Sequence, residues 1–233
     1  MGTALSHVLT DKFELIGKNS DDFDATDFEA VRKLINDNPA DIIINTVAFL
    51  GIDPCENDPQ KAFVLNTLYP KFLAEISREN DFLLIHFSTD AVFNDGKKGF
   101  YTESDQPYPL NIYGFTKLGG DCFVKSIAKK FYIFRISVLF GETTKNTQFV
   151  EKMLELAKKG NKLLKISNDI ISSPTYSKDA AKEIKRIIEN KCEYGIYHIA
   201  NEGKATLYEL INEIVKQLDL KVKIEPASYK DFP

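Results

Sequence analysis

Short runs of hydrophobic residues alternate along this chain with longer segments whose apolar residues recur every three or four positions. The runs DIIINTV (Asp41–Val47), FLLIHFS (Phe82–Ser88) and FYIFRISVL (Phe131–Leu139) are almost continuously apolar, as in strands that are covered on both faces. The segments between them have helical periodicity. This alternation is the signal of parallel βαβ units, and it predicts an α/β fold with a doubly wound parallel sheet.

The segments around these runs complete the predicted pattern. Before Gly141 we predict one further strand and three crossover helices: strand Phe13–Gly17 and helices Thr26–Asn38, Pro59–Asn80 and Asn111–Lys129. After Gly141 the elements become shorter, with helices predicted over Thr147–Lys159, Ser177–Asn190 and Thr206–Leu218 and strands over Lys162–Ile166, Gly195–Ala200 and Lys221–Pro226. We therefore predict a Rossmann-like cofactor-binding domain over residues 1–141 and a smaller α+β substrate lobe over residues 142–233, packed together as one unit.

Composition and charge exclude several classes of protein. The net charge of −4 arises from 30 basic and 34 acidic residues mixed along 233 positions, which argues against nucleic-acid and membrane partners. No apolar run approaches the roughly 20 residues that span a bilayer. Cys55, Cys122 and Cys192 are isolated and odd in number, which favours a reducing compartment and predicts a cytoplasmic protein. The histidines show no metal-ligand spacing, so we predict no metal site.

Polar residues follow the apolar runs at the sheet edge where ligands bind in open α/β folds. Ser88 and Thr89 end the second long run, and Tyr113 and Lys117 further along are spaced to share one helix face. An ammonium near a phenol stabilises the phenolate and lowers the pKa of the tyrosine, so that Tyr113 could pass a proton to a carbonyl. About one such spacing is expected by chance in this composition, so its meaning depends on the hydroxyls that precede it.

A strand-end hydroxyl followed by Tyr-x-x-x-Lys at the start of a helix resembles the catalytic motif of the short-chain dehydrogenase/reductase superfamily. Longer segments narrow the resemblance. Eight segments of this chain resemble, in order and spacing, segments of the dTDP-4-dehydrorhamnose reductase family. They are DFDATDFEAV, PADIIINTVA, AFVLNTLYP, STDAVFND, YTESDQPYPLNIYGFTKLGGD, FRISVLFG, SSPTYSKDAA and GIYHIANEGKATLYEL. This resemblance covers nearly the whole chain.

The resemblance implies a reaction and a set of residue roles. NADPH or NADH would reduce the 4-keto group of a nucleotide-linked deoxysugar, with Tyr113 as proton donor. Lys117 would bind the nicotinamide ribose and tune Tyr113, while Thr89 and Ser88 would hold the substrate carbonyl. The implied cofactor contacts are Gly2, Asp24, Ala25, Thr46, Val47, Ala48 and Asn66, and the implied substrate contacts include Val138, Pro174 and Thr175. Lys18, just after the first predicted strand, favours the 2′-phosphate of NADP, although a solvated surface lysine is an equally good interpretation.

The resemblance is incomplete at both ends. The family opens with a strand and a Gly-rich turn that cradles the cofactor diphosphate, and here Gly2 matches the last glycine of that turn. Asp231–Pro233 matches only the start of a closing segment. We therefore expect a sheet that lacks its first strand.

Three functions stay open on these residues: a reductase, a non-catalytic binding or regulatory subunit, and an inactive fragment without the phosphate loop. Val138 stands where the family often has a tryptophan, which leaves the sugar undetermined. The choice between NADH and NADPH and the oligomeric state are also open, a homodimer being one option.

Overall fold

The chain divides into two compact units. The structure is a computed structural model that describes residues 1–141 and 149–232. The first unit, called the sheet unit below, comprises Leu9–Ile136 and Ile187–His198. The other, called the small-strand unit, comprises Met1–Val8, Ser137–Arg186 and Ile199–Pro233. The functional division into a cofactor-binding domain and a substrate lobe at residue 141 stays a prediction.

Helices and strands alternate along most of the chain. The helices are α1 (Gly2–Leu9), α2 (Phe28–Asp37), α3 (Ile52–Asn57), α4 (Pro59–Phe63), α5 (Tyr69–Asn80), α6 (Ile112–Ile127), α7 (Phe149–Lys158), α8 (Ser177–Glu189) and α9 (Leu207–Gln217). The strands are β1 (Ile42–Asn45), β2 (Leu83–Thr89), β3 (Phe131–Ile136), β4 (Leu139–Phe140), β5 (Leu163–Ser167), β6 (Ile171–Ser172), β7 (Thr175–Tyr176), β8 (Gly195–Ile199), β9 (Ala205–Thr206) and β10 (Lys223–Ala227). A π-helical turn covers Val64–Leu68, and 3₁₀ turns cover Asp90–Val92 and Tyr229–Asp231.

A four-stranded sheet in the order β1-β2-β3-β8 forms the centre of the sheet unit. β2 pairs in parallel with both β1 and β3, so that Ile44 lies opposite Ile85 and Phe87 lies opposite Phe134. Parallel neighbours need a crossover connection, which the helices between these strands supply. The predicted α/β fold with a parallel sheet is confirmed.

The prediction of a strand over Phe13–Gly17 is wrong. The segment has no regular secondary structure, and the Leu15 and Ile16 side chains are exposed. A strand forms only where a neighbour accepts and donates its backbone hydrogen bonds. Within the described residues, β1 pairs with β2 alone and no strand lies along its other edge, so this apolar segment has no partner.

The long helix predicted over Pro59–Asn80 is interrupted in its middle. It consists of α4, the π-helical turn and α5, and Pro70 lies in the first turn of α5. Proline has no backbone N–H to continue the α-helical hydrogen bonds, so the wider turn before it accommodates the break. The turn buries Asn66 and Thr67.

The core of the sheet unit lies between the sheet and helices α2, α5 and α6. Its members include Leu73, Ile76, Leu84 and Ile133, each nearly fully buried. Phe28 of α2 stacks on Phe72 of α5 with ring centroids 4.8 Å apart. This packing fixes α6 against β2 and β3, and α6 is the helix that bears Tyr113 and Lys117.

The small-strand unit is built from short strand pairs and its own apolar cluster. β5 pairs with β10 and β4 with β7 in parallel, whereas β6 and β9 are antiparallel. Val150, Ile166, Ile211 and Val215 are buried in the cluster. The predicted helix over Thr147–Lys159 is found as α7, with its first two predicted residues outside the described part of the chain.

Two findings concern membranes and metals. No helix within residues 1–141 and 149–232 combines the length and the hydrophobicity that crossing a membrane requires. Those same residues contain no group of three or more His, Cys, Asp and Glu side chains placed to hold a metal ion. The cytoplasmic location and the lack of a metal site stay predictions.

Candidate active site

The carboxyl end of β2 and the first two turns of α6 bring together the residues predicted to be catalytic. Ser88 and Thr89 are the last residues of β2, and both are buried. Asn111 caps α6, because its Oδ1 accepts a hydrogen bond from the Gly114 backbone N–H at 2.8 Å. The helix therefore begins just before Tyr113, which places Tyr113 and Lys117 one turn apart on the same face.

Glycines let α6 approach its neighbours closely. A Cβ at Gly114 would lie 2.0 Å from the Ala91 carbonyl oxygen, in the turn that follows β2. A Cβ at Gly120 would lie 2.4 Å from the Asn66 carbonyl oxygen of the π-helical turn. Real Cβ atoms cannot be this close, so both contacts require glycine. The close approach at Gly114 sets Tyr113 beside the end of β2.

The Thr89 hydroxyl lies close to the Tyr113 phenol. In the structure Thr89 Oγ1 donates to Asp90 Oδ1 at 3.1 Å and accepts from the Ala91 backbone N–H at 3.2 Å. Burial raises the pKa of Tyr113, and the nearby Thr89 hydroxyl opposes the rise. This direction is opposite to the lowering expected from Lys117, so the phenol keeps its proton at neutral pH.

Lys117 is buried beneath this pair, with 2% of its surface exposed. Its ammonium donates a hydrogen bond to the backbone carbonyl of Phe87 in β2. Burial lowers the pKa of Lys117 to about 8, and the negative charge of Asp121 opposes the lowering. The ammonium thus lies beside β2 and is still mostly charged at neutral pH.

A buried polar cluster next to Lys117 was not predicted from the sequence. Asp121 Oδ2 accepts a hydrogen bond from Arg135 Nε at 3.1 Å, and Asp121 Oδ1 lies 3.8 Å from His86 Nε2. Burial raises the pKa of the Asp121 carboxyl, while Arg135 and Ser88 oppose the rise. Ser88 Oγ approaches that carboxyl without completing a well-formed hydrogen bond. The available signal was the presence of His86 and Arg135 inside apolar strand runs.

Hydrogen bonds determine which nitrogen of His86 carries the proton. The Val47 backbone N–H donates to Asn45 Oδ1 at 3.0 Å, which fixes the orientation of the Asn45 amide. Asn45 Nδ2 then faces His86 Nδ1 at 3.2 Å and donates to it, so the ring proton is on Nε2. Burial and the Lys117 charge lower the pKa of His86 well below its usual value. His86 is therefore neutral, with Nε2–H towards Asp121.

The segment after β1 contains three of the predicted cofactor contacts. Thr46 is exposed, and Val47 and Ala48 are half-buried. Asn66 fixes the end of this segment: its Oδ1 accepts from the Phe49 N–H at 2.8 Å and its Nδ2 donates to the Phe49 carbonyl at 2.9 Å. Asn66 Nδ2 also donates to Thr116 Oγ1 at 3.2 Å. Its amide is thus engaged with the protein, and its predicted cofactor contact stays a prediction.

The remaining predicted cofactor residues of the sheet unit lie before α2. Asp24 Oδ1 accepts hydrogen bonds from the Thr26 N–H and hydroxyl, both at 2.8 Å. The backbone bond from Thr26 lowers the pKa of Asp24, with a further contribution from the Thr26 hydroxyl. Ala25 packs at the margin of the core, and Lys18 is exposed. Their contacts with adenine or a 2′-phosphate stay predictions.

Four predicted ligand contacts belong to the small-strand unit. Thr175 is buried, its Oγ1 donates to the Ser137 carbonyl at 2.7 Å, and its N–H donates to the Val138 carbonyl at 3.1 Å. Val138 has φ of 36°, an uncommon conformation for a β-branched residue. The structure thus joins Val138 to Thr175, with the half-buried Pro174 alongside in sequence. Gly2 is exposed at the start of α1.

The donors at the end of β2 fit the nicotinamide ribose of the implied cofactor. An ammonium has three N–H donors, and the bond to the Phe87 carbonyl uses one of those on Lys117. Ser88 Oγ has no complete hydrogen bond within the described residues, and the Thr89 and Tyr113 hydroxyls lie nearby. Such a set of hydroxyl and ammonium donors suits a ligand that carries ribose hydroxyls and a carbonyl.

A parallel α/β sheet with hydroxyls at the end of β2 and Tyr-x-x-x-Lys on the following helix defines a short-chain dehydrogenase/reductase. The model of the RmlD substrate binding domain family matches residues 1–233, the whole chain. A dTDP-4-dehydrorhamnose reductase of Aggregatibacter actinomycetemcomitans is 32% identical, over 100% of this chain and 83% of that protein. This chain belongs to the dTDP-4-dehydrorhamnose reductase family, as its resemblance predicts.

Solved structures agree with this assignment. A dTDP-4-dehydrorhamnose reductase from Clostridium acetobutylicum has a TM-score of 0.92 and 32% identity, covering 100% of this chain and 81% of its own. The Bacillus anthracis dTDP-4-dehydrorhamnose reductase in complex with NADP has a TM-score of 0.92 and 30% identity, covering 99% of this chain and 81% of its own. The predicted oxidoreductase class and nicotinamide cofactor are confirmed for the family.

Proposed function

We propose that this chain uses NADPH or NADH to reduce the 4-keto group of a nucleotide-linked deoxysugar, with Tyr113 as the proton donor. The observation that carries this proposal is the placement of the Tyr113 phenol. The phenol lies close to the Thr89 hydroxyl at the end of a parallel strand, one helical turn from the buried Lys117. Relatives named dTDP-4-dehydrorhamnose reductase make dTDP-4-dehydrorhamnose the first substrate to test.

Tyr113 is suited to donate a proton to a carbonyl oxygen. Reduction of a ketone places negative charge on that oxygen, which must receive a proton to become the alcohol. Because burial raises the pKa of Tyr113, the phenol is protonated and ready to donate at neutral pH. The Thr89 hydroxyl, next to the phenol, would hydrogen-bond the same oxygen and orient it, with Ser88 behind it.

Lys117 supplies the positive charge that this proton transfer needs. When Tyr113 donates its proton, it becomes a phenolate, and a nearby ammonium stabilises that anion. The bound nicotinamide would supply the hydride. Lys117 would hold its ribose, and the segment of Thr46, Val47 and Ala48 would line its diphosphate and second ribose. Gly2, Asp24 and Ala25 would complete the cofactor contacts, and Pro174 and Thr175 would border the nucleotide sugar.

Mixing the protein with NADPH or NADH and dTDP-4-dehydrorhamnose tests the proposal. Absorbance of the reduced nicotinamide should fall, and chromatography should show a reduced nucleotide sugar in equal amount. Tyr113→Phe removes the donated proton and should lower kcat about a hundredfold or more. Tyr108→Phe is the matched control, because the Tyr108 side chain is exposed and 65% accessible.

Two results would contradict the proposal. One is an unchanged rate in Tyr113→Phe, since the phenol would then not be the donor. The other is a folded protein that binds NADPH yet oxidises none with any 4-keto nucleotide sugar, which would favour a binding or regulatory subunit. A protein that neither binds nor turns over either cofactor would favour the inactive fragment.

A further inference from the structure

The part of the chain that the structure describes buries two basic side chains and a single acidic one. The basic residues are Lys117 and Arg135, and the acid is Asp121, each with at most 5% of its surface exposed. A buried charge without an opposite partner is strongly unfavourable. Among the residues that the structure describes, Asp121 is therefore the one fully buried acid that can offset the charges of Lys117 and Arg135.

Asp121 pairs directly with Arg135 and shares a helix with Lys117. It follows Lys117 by one turn of α6, and side chains four residues apart on a helix are neighbours. Its Oδ2 accepts from Arg135 Nε at 3.1 Å, which leaves Oδ1 without a complete hydrogen bond in the described residues. The Arg135 contact anchors the carboxylate against β3, on the inner side of α6.

Other groups near Asp121 cannot replace its charge. His86 of β2 is neutral, and its Nε2–H is 3.8 Å from Asp121 Oδ1. Asp90 and Cys55 raise the pKa of Tyr113, as does Asp121 itself. Glu103 and His198 interact with Arg135, and the His198 backbone N–H donates to Glu103 Oε1 at 2.7 Å.

We propose that Asp121 is a positioning residue that keeps the Lys117 side chain charged and directed to the end of β2. The inference rests on the proposed function, in which that charge stabilises the Tyr113 phenolate. Asp121 acts through Lys117 and need not touch either ligand. Its Coulombic attraction opposes the burial that lowers the pKa of Lys117, in agreement with the geometry.

The direct test measures the Lys117 pKa in the protein without any ligand. Selective isotope labelling of lysine gives an NMR signal for each side chain, and Lys117→Met identifies the signal of interest. Asp121→Asn should reduce the ratio of charged to neutral Lys117 at a fixed pH about tenfold. Asp121→Glu keeps the charge and should restore most of that ratio. Asp37→Asn, at an exposed position at the end of α2, is the matched control.

A second measurement needs no variant, in case Asp121→Asn does not fold. The side-chain carboxyl of Asp121 in the native protein is followed by carbon NMR through neutral pH. An ionised Asp121 supports the proposal, and a carboxyl that is protonated at neutral pH overturns it. An unchanged Lys117 pKa in folded Asp121→Asn also overturns it.

The pH profile of turnover links this charge to the reaction. Asp121→Asn should move the alkaline fall of kcat to lower pH, whereas Asp121→Glu should return it towards the native profile. A merely structural role would lower kcat at every pH alike and would contradict the proposal. The NMR titration tests the role of Asp121 even if the protein reduces no nucleotide sugar. Failure of the proposed function would appear in the turnover assay alone, so the two failures can be told apart.

Discussion

The Lys117 ammonium donates a hydrogen bond to the backbone carbonyl of Phe87, which fastens the middle of α6 to β2. The bond spans the same two elements that bring Tyr113 to Thr89. The carbonyl dipole of Phe87 helps to stabilise the charge of a lysine that is almost fully buried. The position of the Lys117 side chain therefore depends on the same packing of α6 on β2 that places Tyr113 beside Thr89.

The burial of Lys117 predicts how stability depends on pH. Its pKa falls from 10.5 to about 8 on folding, so between these pH values the unfolded chain binds more protons than the native one. Stability from this group should therefore rise with pH across that window, by up to about 3 kcal/mol. Urea unfolding at a series of pH values should show the rise in the native protein and not in Lys117→Met. Parallel curves for the two proteins would contradict the prediction.

Gly120→Ala should destabilise the protein. Its Cβ would lie 2.4 Å from the Asn66 carbonyl and 3.3 Å from His86 Nε2, so α6 must move away from the π-helical turn. Overpacking of this kind costs about 1 to 3 kcal/mol. Gly17→Ala is the control, since nothing lies within 4 Å of its Cβ. Equal denaturant midpoints for the two variants would show that the contact is not tight.

Gly114→Ala should impair turnover through the placement of Tyr113. The added methyl would lie 2.0 Å from the Ala91 carbonyl, and its relief would displace the first turn of α6 from the end of β2. Because small displacements of a reacting group can lower rates about a hundredfold, we expect a large loss of kcat. Steady-state kinetics with dTDP-4-dehydrorhamnose measures it, and circular dichroism monitors the fold. Native kcat in a folded Gly114→Ala would rule out this role for the close approach.

Asn66→Asp should loosen the segment after β1. The substitution removes the amide donor to the Phe49 carbonyl and to Thr116, and it places a carboxylate at a position with 0% exposure. We expect a loss of about 2 to 4 kcal/mol in the free energy of unfolding. Asn36→Asp, at an exposed position of α2, serves as the control. Isothermal titration with NADPH should also show weaker binding in Asn66→Asp if Thr46, Val47 and Ala48 contact the cofactor.

The sequence predicted β2, β3 and α6 well because each carries an uninterrupted local pattern. The apolar run before Ser88 forms β2, and the periodic segment around Tyr113 forms α6. The segment Phe13–Gly17 also contains apolar residues but forms no strand, because pairing depends on a neighbour that its own residues cannot supply. The π-helical turn escaped prediction for a similar reason, since Asn66 is buried there by contacts with distant Phe49 and Thr116.

The direction in which the pKa of Tyr113 shifts could not be predicted from the sequence either. Tyr-x-x-x-Lys spacing indicates that a phenol and an ammonium share a face, but not how much water either one keeps. The structure desolvates the Tyr113 phenol and the Lys117 ammonium, and it places the ammonium against the Phe87 carbonyl. Desolvation then dominates over the attraction between them.

The sequence by itself determined the family, the parallel α/β class and the identity of Thr89, Tyr113 and Lys117 as candidate site residues, because periodicity and motif order are local properties. Only the tertiary structure decided which charges are buried together. Asp121, Arg135 and His86 come from a helix and two strands, and their proximity arises from the packing of α6 on the sheet. Burial and electrostatic pairing depend on every neighbour in space, so no short stretch of sequence contains them.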